Sequence, residues 1–456
     1  MSERPQFSIV IPTRNRAETL GPAIETCLSQ DFEDFELLIV DNASSSATKE
    51  LVESITDSRL KYIRRDEPLA MTHNWNSALS ETSGQWICFI GDDDGLMPGA
   101  LRTLSEITEA TQARALRWDY VVYTWPDFPI AEMSSKLSVP TYYGDDRPCS
   151  GLDAVKAMAE APDVGPRGPS IYHGLIKRSL IEEALATGPI FEGPIPDYFS
   201  GTLFAALCGE FLQLSRPASI AGLSGLSNGV AHITHGKTTQ TRKDFESLNS
   251  SQGLTFHSEL PDLNLTCVYI LDAVFRVRDR LGLPFAELAK SSEDVADIAA
   301  RTLWQSDEKL AAEAEELRRY TRAHGLVMGP EWDLLLDTPV GTRPPFLPND
   351  GTEGFTGRDV LIDATKPGIH DVVGAGFAAA SIYEAFSYCQ PEFIDLRAKV
   401  PWLQGHVTER DQWIAQRDAT IGKLKKRLAG AKADIAALRN SRTERVKRRL
   451  KRTVSR

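Results

Sequence analysis

Within the first 125 residues, short apolar runs alternate with stretches of helical periodicity, and that alternation restricts the chain to few architectures. Phe7-Ser8-Ile9-Val10-Ile11, Leu37-Leu38-Ile39-Val40 and Trp86-Ile87-Cys88-Phe89-Ile90 read as buried strands. Between the first two, Leu20, Ile24, Cys27 and Leu28 recur at helical spacing over 17–29. Further helices are predicted at 47–55, 72–82 and 98–109, with strands at 60–63 and 119–124. Strands alternating with helices build right-handed βαβ units, so the expected fold class is α/β, a mainly parallel sheet flanked by helices. Such sheets bind ligands at the carboxyl ends of their strands. Three of those ends carry polar runs: Pro12-Thr13-Arg14-Asn15, Asp41-Asn42 and Gly91-Asp92-Asp93-Asp94.

At 456 residues the chain exceeds one ordinary core. Three regions are expected: an α/β domain over 1–253, a mainly helical region over 254–400 with a Pro/Gly-rich connector at 329–357, and a basic coiled-coil-like helix over 401–456. From 126 to 253 the pattern loosens, with helices at 151–160, 178–186 and 199–209; residues 262–324 read as helical throughout, and another helix falls at 368–388. Ile414, Ile421, Leu424, Leu428, Ala431, Ile435 and Leu438 step in the a/d rhythm of a coiled coil, which predicts self-association or a solvated helix. From Gln404 to Arg456 there are 16 Lys/Arg against 5 Asp/Glu, although the whole chain carries −12. An acidic body with a basic tail argues against nucleic acid as ligand, and the tail suits an anionic membrane surface. Six scattered cysteines without a C-x-x-C pair favour a reducing compartment. Neither a leader nor a spanning stretch is read, so a cytoplasmic place is expected, with peripheral contact at the inner face of the membrane.

The carboxylate turn carries the chemistry. Three adjacent aspartates repel one another unless a cation or hydrogen-bond donors compensate. Mg2+ or Mn2+ takes oxygen ligands, commonly one or two carboxylates plus substrate phosphates. Receivers and phosphatases also place carboxylates at strand ends, but no strand-end Lys partner and no D-x-D-x-T signature is present. The first turn lacks the G-x-G-x-x-G of dinucleotide binding, and no G-x-x-x-x-G-K-[ST] occurs. Asp41 suits a nucleobase or ribose, or else an Asx turn into Ser44-Ser45.

These residues together resemble glycosyltransferase family 2 and its GT-A fold. The resemblance is carried by Ser8-Ile9-Val10-Ile11-Pro12-Thr13-Arg14-Asn15-Arg16, by Glu36-Leu37-Leu38-Ile39-Val40-Asp41-Asn42, by Asn74-Trp75-Asn76 ahead of Gly84, and by Phe89-Ile90-Gly91-Asp92-Asp93-Asp94. It implies a nucleotide-sugar donor, a glycan or lipid-linked acceptor and a divalent metal. Pro12, Thr13, Arg14, Asp41, Asn76 and Asp92 would face the donor, and Asp93 the metal. The family's D-x-D motif falls on Gly91-Asp92-Asp93, so Gly stands where the first Asp belongs; the register Asp92-x-Asp94 restores two carboxylates and adds Asp94 as a ligand.

Inverting transfer also needs a base, and the resemblance implies a carboxylate in the second half of the domain. Asp197, held behind Pro196, is the candidate, with Asp145, Asp146 and Glu192 as rivals; a plain helix N-cap at 197 is the structural alternative. His235, in His232-Ile233-Thr234-His235-Gly236-Lys237, is a candidate third metal ligand. His73 and His173 fall near the expected cleft, and Arg64 and Arg65 follow the third strand. Two other functions fit the pattern less well: a non-catalytic nucleotide-sugar-binding or scaffold protein, and a nucleotidyltransferase.

Overall fold

The computed structural model describes residues 4–140, 145–162, 167–227, 240–263, 265–285, 288, 290–305, 311–327, 354–355, 359–366 and 368–387. The expected α/β architecture is present. Four parallel strands, β1 (Phe7–Thr13), β2 (Phe35–Asp41), β3 (Leu60–Arg64) and β4 (Trp86–Phe89), form half of an eight-stranded sheet. Between them run α1 (Ala17–Leu28), α2 (Ser46–Glu53) and α3 (Met71–Ser80). After β4 come β5 (Gly95–Leu96), α4 (Ala100–Ala110), β6 (Ala115–Arg117), β7 (Val121–Thr124), β8 (Lys136–Pro140) and β9 (Arg147–Ser150). Then follow α5 (Gly151–Glu160), β10 (Gly174–Lys177), α6 (Arg178–Leu185), α7 (Pro196–Cys208), β11 (Glu210–Gln213) and β12 (Ser219–Leu223).

The large sheet has the order β3-β2-β1-β4-β10-β6-β11-β9. Its first three pairings are parallel, and β10 inserts antiparallel between β4 and β6. Alternate side chains of β1 and β2 feed two cores, which is why these strands read as unbroken apolar runs. Ile9, Ile11, Leu37 and Ile39 pack with Leu20, Ile24 and Leu101 on one face. Val10, Leu38 and Val40 pack on the other with Trp75 and Leu79 of α3 and with Phe199 and Phe204 of α7. Each such side chain contributes about 1.5–3 kcal/mol by leaving water.

A second, six-stranded sheet has the order β13-β14-β8-β7-β12-β5, where β13 is Gly354–Phe355 and β14 is Asp359–Asp363. The expected strand at 119–124 is β7 of this sheet, and the short β6 just before it, not expected from the sequence, belongs to the large sheet. Five strands also lie within the region read as loops and helices, because each has only four or five residues and pairs with partners distant in sequence. The continuous helix read over 262–324 is three: α9 (Thr266–Leu281), α10 (Ser292–Gln305) and α11 (Ala311–Ala323), preceded by α8 (Gln240–Ser251). Gly282, in the left-handed region at φ 61°, ends α9. Helix α12 (Val372–Ser387) completes the described chain.

The chain divides into two units, Met1–Ala385 and Phe386–Arg456. Helix α9 stands in the first unit with the sheets, its Ala273 and Val277 packed in the same core as Phe199 and Leu203 of α7. The heptad segment over 401–456 and most of the connector over 329–357 lie outside the described residues.

The amino end of the large sheet is locked by a polar network. Glu36, on β2 beside Ser8 of β1, accepts from Ser8 Oγ at 2.5 Å, Ser83 N at 2.6 Å and Lys61 Nζ at 2.5 Å. Burial raises its pKa, but Lys61 and the serine donors outweigh that and hold it below the usual carboxylate range. Gly84 packs so tightly here that an added Cβ would lie 2.6 Å from Ser8 N and 2.7 Å from the Phe7 carbonyl carbon. Both are backbone atoms and cannot rotate away. Gly84→Ala is therefore expected to cost about 1–3 kcal/mol of unfolding free energy, measurable by urea titration.

Candidate active site

The turn Gly91-Asp92-Asp93-Asp94 connects β4 of the large sheet to β5 of the small one, so both sheets converge on it. All three aspartates are 2–3 % exposed. They are answered by several parts of the chain. Asp92 Oδ2 accepts from Thr13 Oγ1 at 2.7 Å, and Asp92 Oδ1 pairs with Arg16. Asp93 Oδ2 accepts from Ser224 Oγ at 2.7 Å, Ser224 N at 3.2 Å and Arg16 at 3.1 Å. The Asp93 carbonyl accepts from Trp125 Nε1 at 3.0 Å.

Asp94 is the most heavily engaged. Its Oδ2 accepts from Gly91 N at 2.5 Å and Tyr172 Oη at 2.7 Å, and His173 Nε2 lies 3.0 Å away. Its Oδ1 accepts from Gly222 N at 2.8 Å. The segment 171–173 reaches this point by bridging to the end of β4, with Phe89 N donating to Ile171 O and His173 N donating to Phe89 O. Ser219 Oγ accepts from Trp118 Nε1 and lies 2.8 Å from His173 Nδ1.

The electrostatics separate the three carboxylates. Burial pushes Asp93 up to about 7 against the pull of Arg16, and the charges of Asp94 and Asp92 add to the rise. Burial likewise raises Asp92, despite Arg16 and Thr13. Asp94 moves the other way, because His173, Tyr172 and the Gly91 N–H outweigh its burial. Tyr172 is held protonated by burial and by the nearby Asp94 and Asp93 charges.

The donor set decides how a metal fits. Asp94 has both oxygens engaged, whereas among the described residues Asp93 Oδ1 accepts no hydrogen bond. One open carboxylate oxygen in a site with excess negative charge suits an ion whose other ligands come from a diphosphate. Asp93 is the residue that fits. Asp94, whose carboxylate holds the turn together, has less free lone-pair capacity for an ion than Asp93.

Gly91 explains the departure from D-x-D. A Cβ there would lie 2.8 Å from Asp94 Oδ2, 3.1 Å from Asp93 Oδ1 and 3.1 Å from Tyr172 Oη. The space of a residue-91 side chain is filled by the Asp94 carboxylate. Gly222 is equally constrained, since its Cβ would fall 1.6 Å from the Asp93 carbonyl oxygen.

The model of glycosyl transferase family 2 matches residues 8–145, the segment that holds β1 to β4 and the whole aspartate turn. This segment is a glycosyl transferase family 2 domain. Its relatives include the Campylobacter jejuni GalNAc(5)-diNAcBac-PP-undecaprenol beta-1,3-glucosyltransferase, 37% identical over 105 residues, covering 22% of this chain and 34% of that protein. Succinoglycan biosynthesis protein ExoO of Rhizobium meliloti is 32% identical over 110 residues, 24% of this chain and 32% of the relative. The chain thus spans about a third of the length of these curated relatives. A crystal structure of S. aureus TarS 1-349 in complex with UDP-GlcNAc is matched over 71% of this chain and 93% of its own at 14% identity, with a TM-score of 0.38.

Within the family 2 domain, the residues singled out in the sequence fall into distinct places. Thr13 and Asp41 face each other in the β1–β2 register, so Asp41 shares the carboxyl edge with the aspartate turn. Asp41 is fully buried; its oxygens accept from Ser44 N, Tyr62 Oη and Arg64. Pro12 is partly exposed beside it, and Arg14 is exposed with no hydrogen bond or ion pair among the described residues. Asn76 points elsewhere: its amide donates to Thr72 O and Phe191 O and accepts from Phe191 N, tying α3 to the chain ahead of α7. These bonds make Asn76 a brace between the two segments.

Beyond the family 2 domain, Asp197 sits in the first turn of α7 behind Ile195 as N-cap and Pro196. Burial pushes its carboxyl up to about 6, opposed by its own and the Tyr198 backbone N–H and by His173. Tyr172 in turn feels Asp197 as well as Asp94 and Asp93. The charges of Asp197 and of the turn thus both act on Tyr172. Of the three rivals of Asp197, Glu192 is engaged by Arg276 and Arg280, Asp146 accepts from Ser215 N, and Asp145 is exposed. His232, His235 and Lys237 lie outside the described residues. Arg16, Tyr172, Gly222 and Ser224 were not anticipated as parts of the site; the one signal for Arg16 was the need of three carboxylates for a cation.

Asp94→Asn is expected to cost about 1–3 kcal/mol, because the amide nitrogen would face N–H and O–H donors. The loss should be the same in EDTA and in Mn2+ when read by thermal melting.

Proposed function

We propose that this chain transfers a sugar from a nucleotide-sugar donor to a hydroxyl of a glycan or lipid-linked acceptor, with inversion and with dependence on a divalent metal, Mn2+ or Mg2+. The observation that carries this reading is the aspartate turn at the carboxyl edge of β1, β2 and β4, with the charges of Asp197 and of the turn both acting on Tyr172. Relatives named for undecaprenol-linked acceptors support the lipid-linked class.

In this reading Pro12, Arg14 and Asp41 form the nucleoside side of the site, Asp92 lies toward the donor sugar, and Asp93 holds the ion. When bound, the ion would neutralise charge developing on the diphosphate leaving group. Asp197 takes the proton of the acceptor hydroxyl as its oxygen bonds to the anomeric carbon. The bond from that carbon to the diphosphate breaks in the same displacement, and the nucleoside diphosphate leaves with the electron pair. Tyr172 and His173 keep Asp94 ionised and fixed, which holds Asp93 in place. His235 would belong to the metal shell. The basic heptads of 401–456 are proposed to serve self-association or contact with anionic lipid at the cytoplasmic face of a membrane. Among the described residues no helix is long and apolar enough to cross a membrane.

Release of nucleoside diphosphate from a panel of nucleotide sugars, with and without EDTA, tests the reaction. Asp93→Ala is expected to abolish metal-dependent donor binding; unchanged donor affinity refutes the metal assignment. Asp197→Asn should leave donor binding intact and slow transfer about 100- to 10,000-fold. The base must be ionised to act, so kcat/KM should be lost as pH falls through about 6, the Asp197 value. A profile flat from pH 5 to 8 would remove Asp197 from the role.

A further inference from the structure

Arg16 stands on the same two carboxylates to which a divalent ion would bring its charge. Its guanidinium spans Asp92 Oδ1 and Asp93 Oδ2 and donates to Ser224 Oγ at 2.8 Å. The side chain is 15% exposed, and its Nε is buried without a hydrogen-bond partner. A pocket shaped to retain a guanidinium permanently would satisfy that nitrogen; here the carboxylates do the holding. Arg16 also occupies the N-cap of α1, with φ −134° and ψ 45°, outside the helix proper, so its side chain can turn aside without unwinding α1.

We propose that Arg16 is the resting counter-ion of the Asp92–Asp93 pair and competes with the divalent ion for it. The inference rests on the metal-dependent reading above. A guanidinium on Asp93 Oδ2 and an ion on Oδ1 of the same carboxylate repel each other, so the ion binds at full strength only when Arg16 moves off. A nucleoside diphosphate arriving with the ion carries the negative charge that gives the displaced guanidinium a new partner. Arg16 thereby favours joint binding of ion and nucleotide over binding of the ion alone. If the arginine covers the carboxylates about nine-tenths of the time, apparent affinity for the lone ion is weakened about tenfold.

The test counts free Mn2+ by electron paramagnetic resonance, using the full chain without nucleotide. Arg16→Gln should tighten Mn2+ binding about tenfold or more, and adding Asp93→Asn should abolish the gain. Arg16→Lys keeps a charge without the two-pronged fork, should fall between, and replaces the Gln variant if that one fails to fold. Melting in EDTA should drop in Arg16→Gln and recover with Mn2+. Mn2+ affinity equal to or weaker than wild type in both variants overturns the proposal, as does a gain that survives Asp93→Asn. The metal-dependent reading has its own arm: if the wild type binds every member of a nucleotide-sugar panel equally in EDTA and in Mn2+, that reading fails. Donor binding that needs Mn2+ together with unchanged lone-ion affinity in the variants leaves the metal in place and removes only the competition.

Discussion

Three carboxylates on consecutive residues, nearly sealed from water, can share one turn only if their charge is answered from elsewhere in the chain. The answer comes from three separate segments: Thr13 and Arg16 at and after the end of β1, Tyr172 and His173 beside β4, and Gly222 and Ser224 on and after β12. Each of these must be delivered by the fold to within hydrogen-bond reach. The turn is thus the point at which both sheets are fastened, and its electrostatics and the tertiary structure are the same problem. The arrangement leaves one carboxylate firmly ionised, Asp94, and one under-compensated, Asp93. That inequality separates a structural carboxylate from one available to chemistry.

The two ends of the large sheet divide labour. At the amino end Glu36 is surrounded by donors and a lysine, and Gly84 allows backbone to meet backbone. At the carboxyl end Asp93 keeps a free oxygen and Arg16 a buried, unpaired Nε. Unsatisfied groups are costly in a core.

The first half of the domain was legible because its strands are buried on both faces and its helices are amphipathic, two patterns a single sequence displays openly. Helices at 151–160 and 178–185 were legible for the same reason. The later strands were not: β10 and β11 have four residues each, and β12 five, and their partners lie far along the chain. Likewise Asp41, Asp92, Asp93 and Asp197 could be picked out by their place after apolar runs or a proline. Ser224 and Gly222 could not, since only three-dimensional pairing of β12 against β5 and β7 brings them to the turn. The bracing role of Asn76 was hidden for a related reason, since its bonds to the backbone at Phe191 span more than a hundred residues.

The glycine at 91 and the aspartate at 94 occupy, between them, one side chain's worth of room. They form an exchange pair. A chain that returned a carboxylate to 91 would have to push the Asp94 carboxylate aside, and a chain that emptied 94 would leave Tyr172 Oη and Gly222 N without their acceptor. Single steps in either direction pass through a less stable protein. The register of this acidic motif is therefore fixed by mutual steric exclusion, and a drift between the two versions in descent would require both positions to change together.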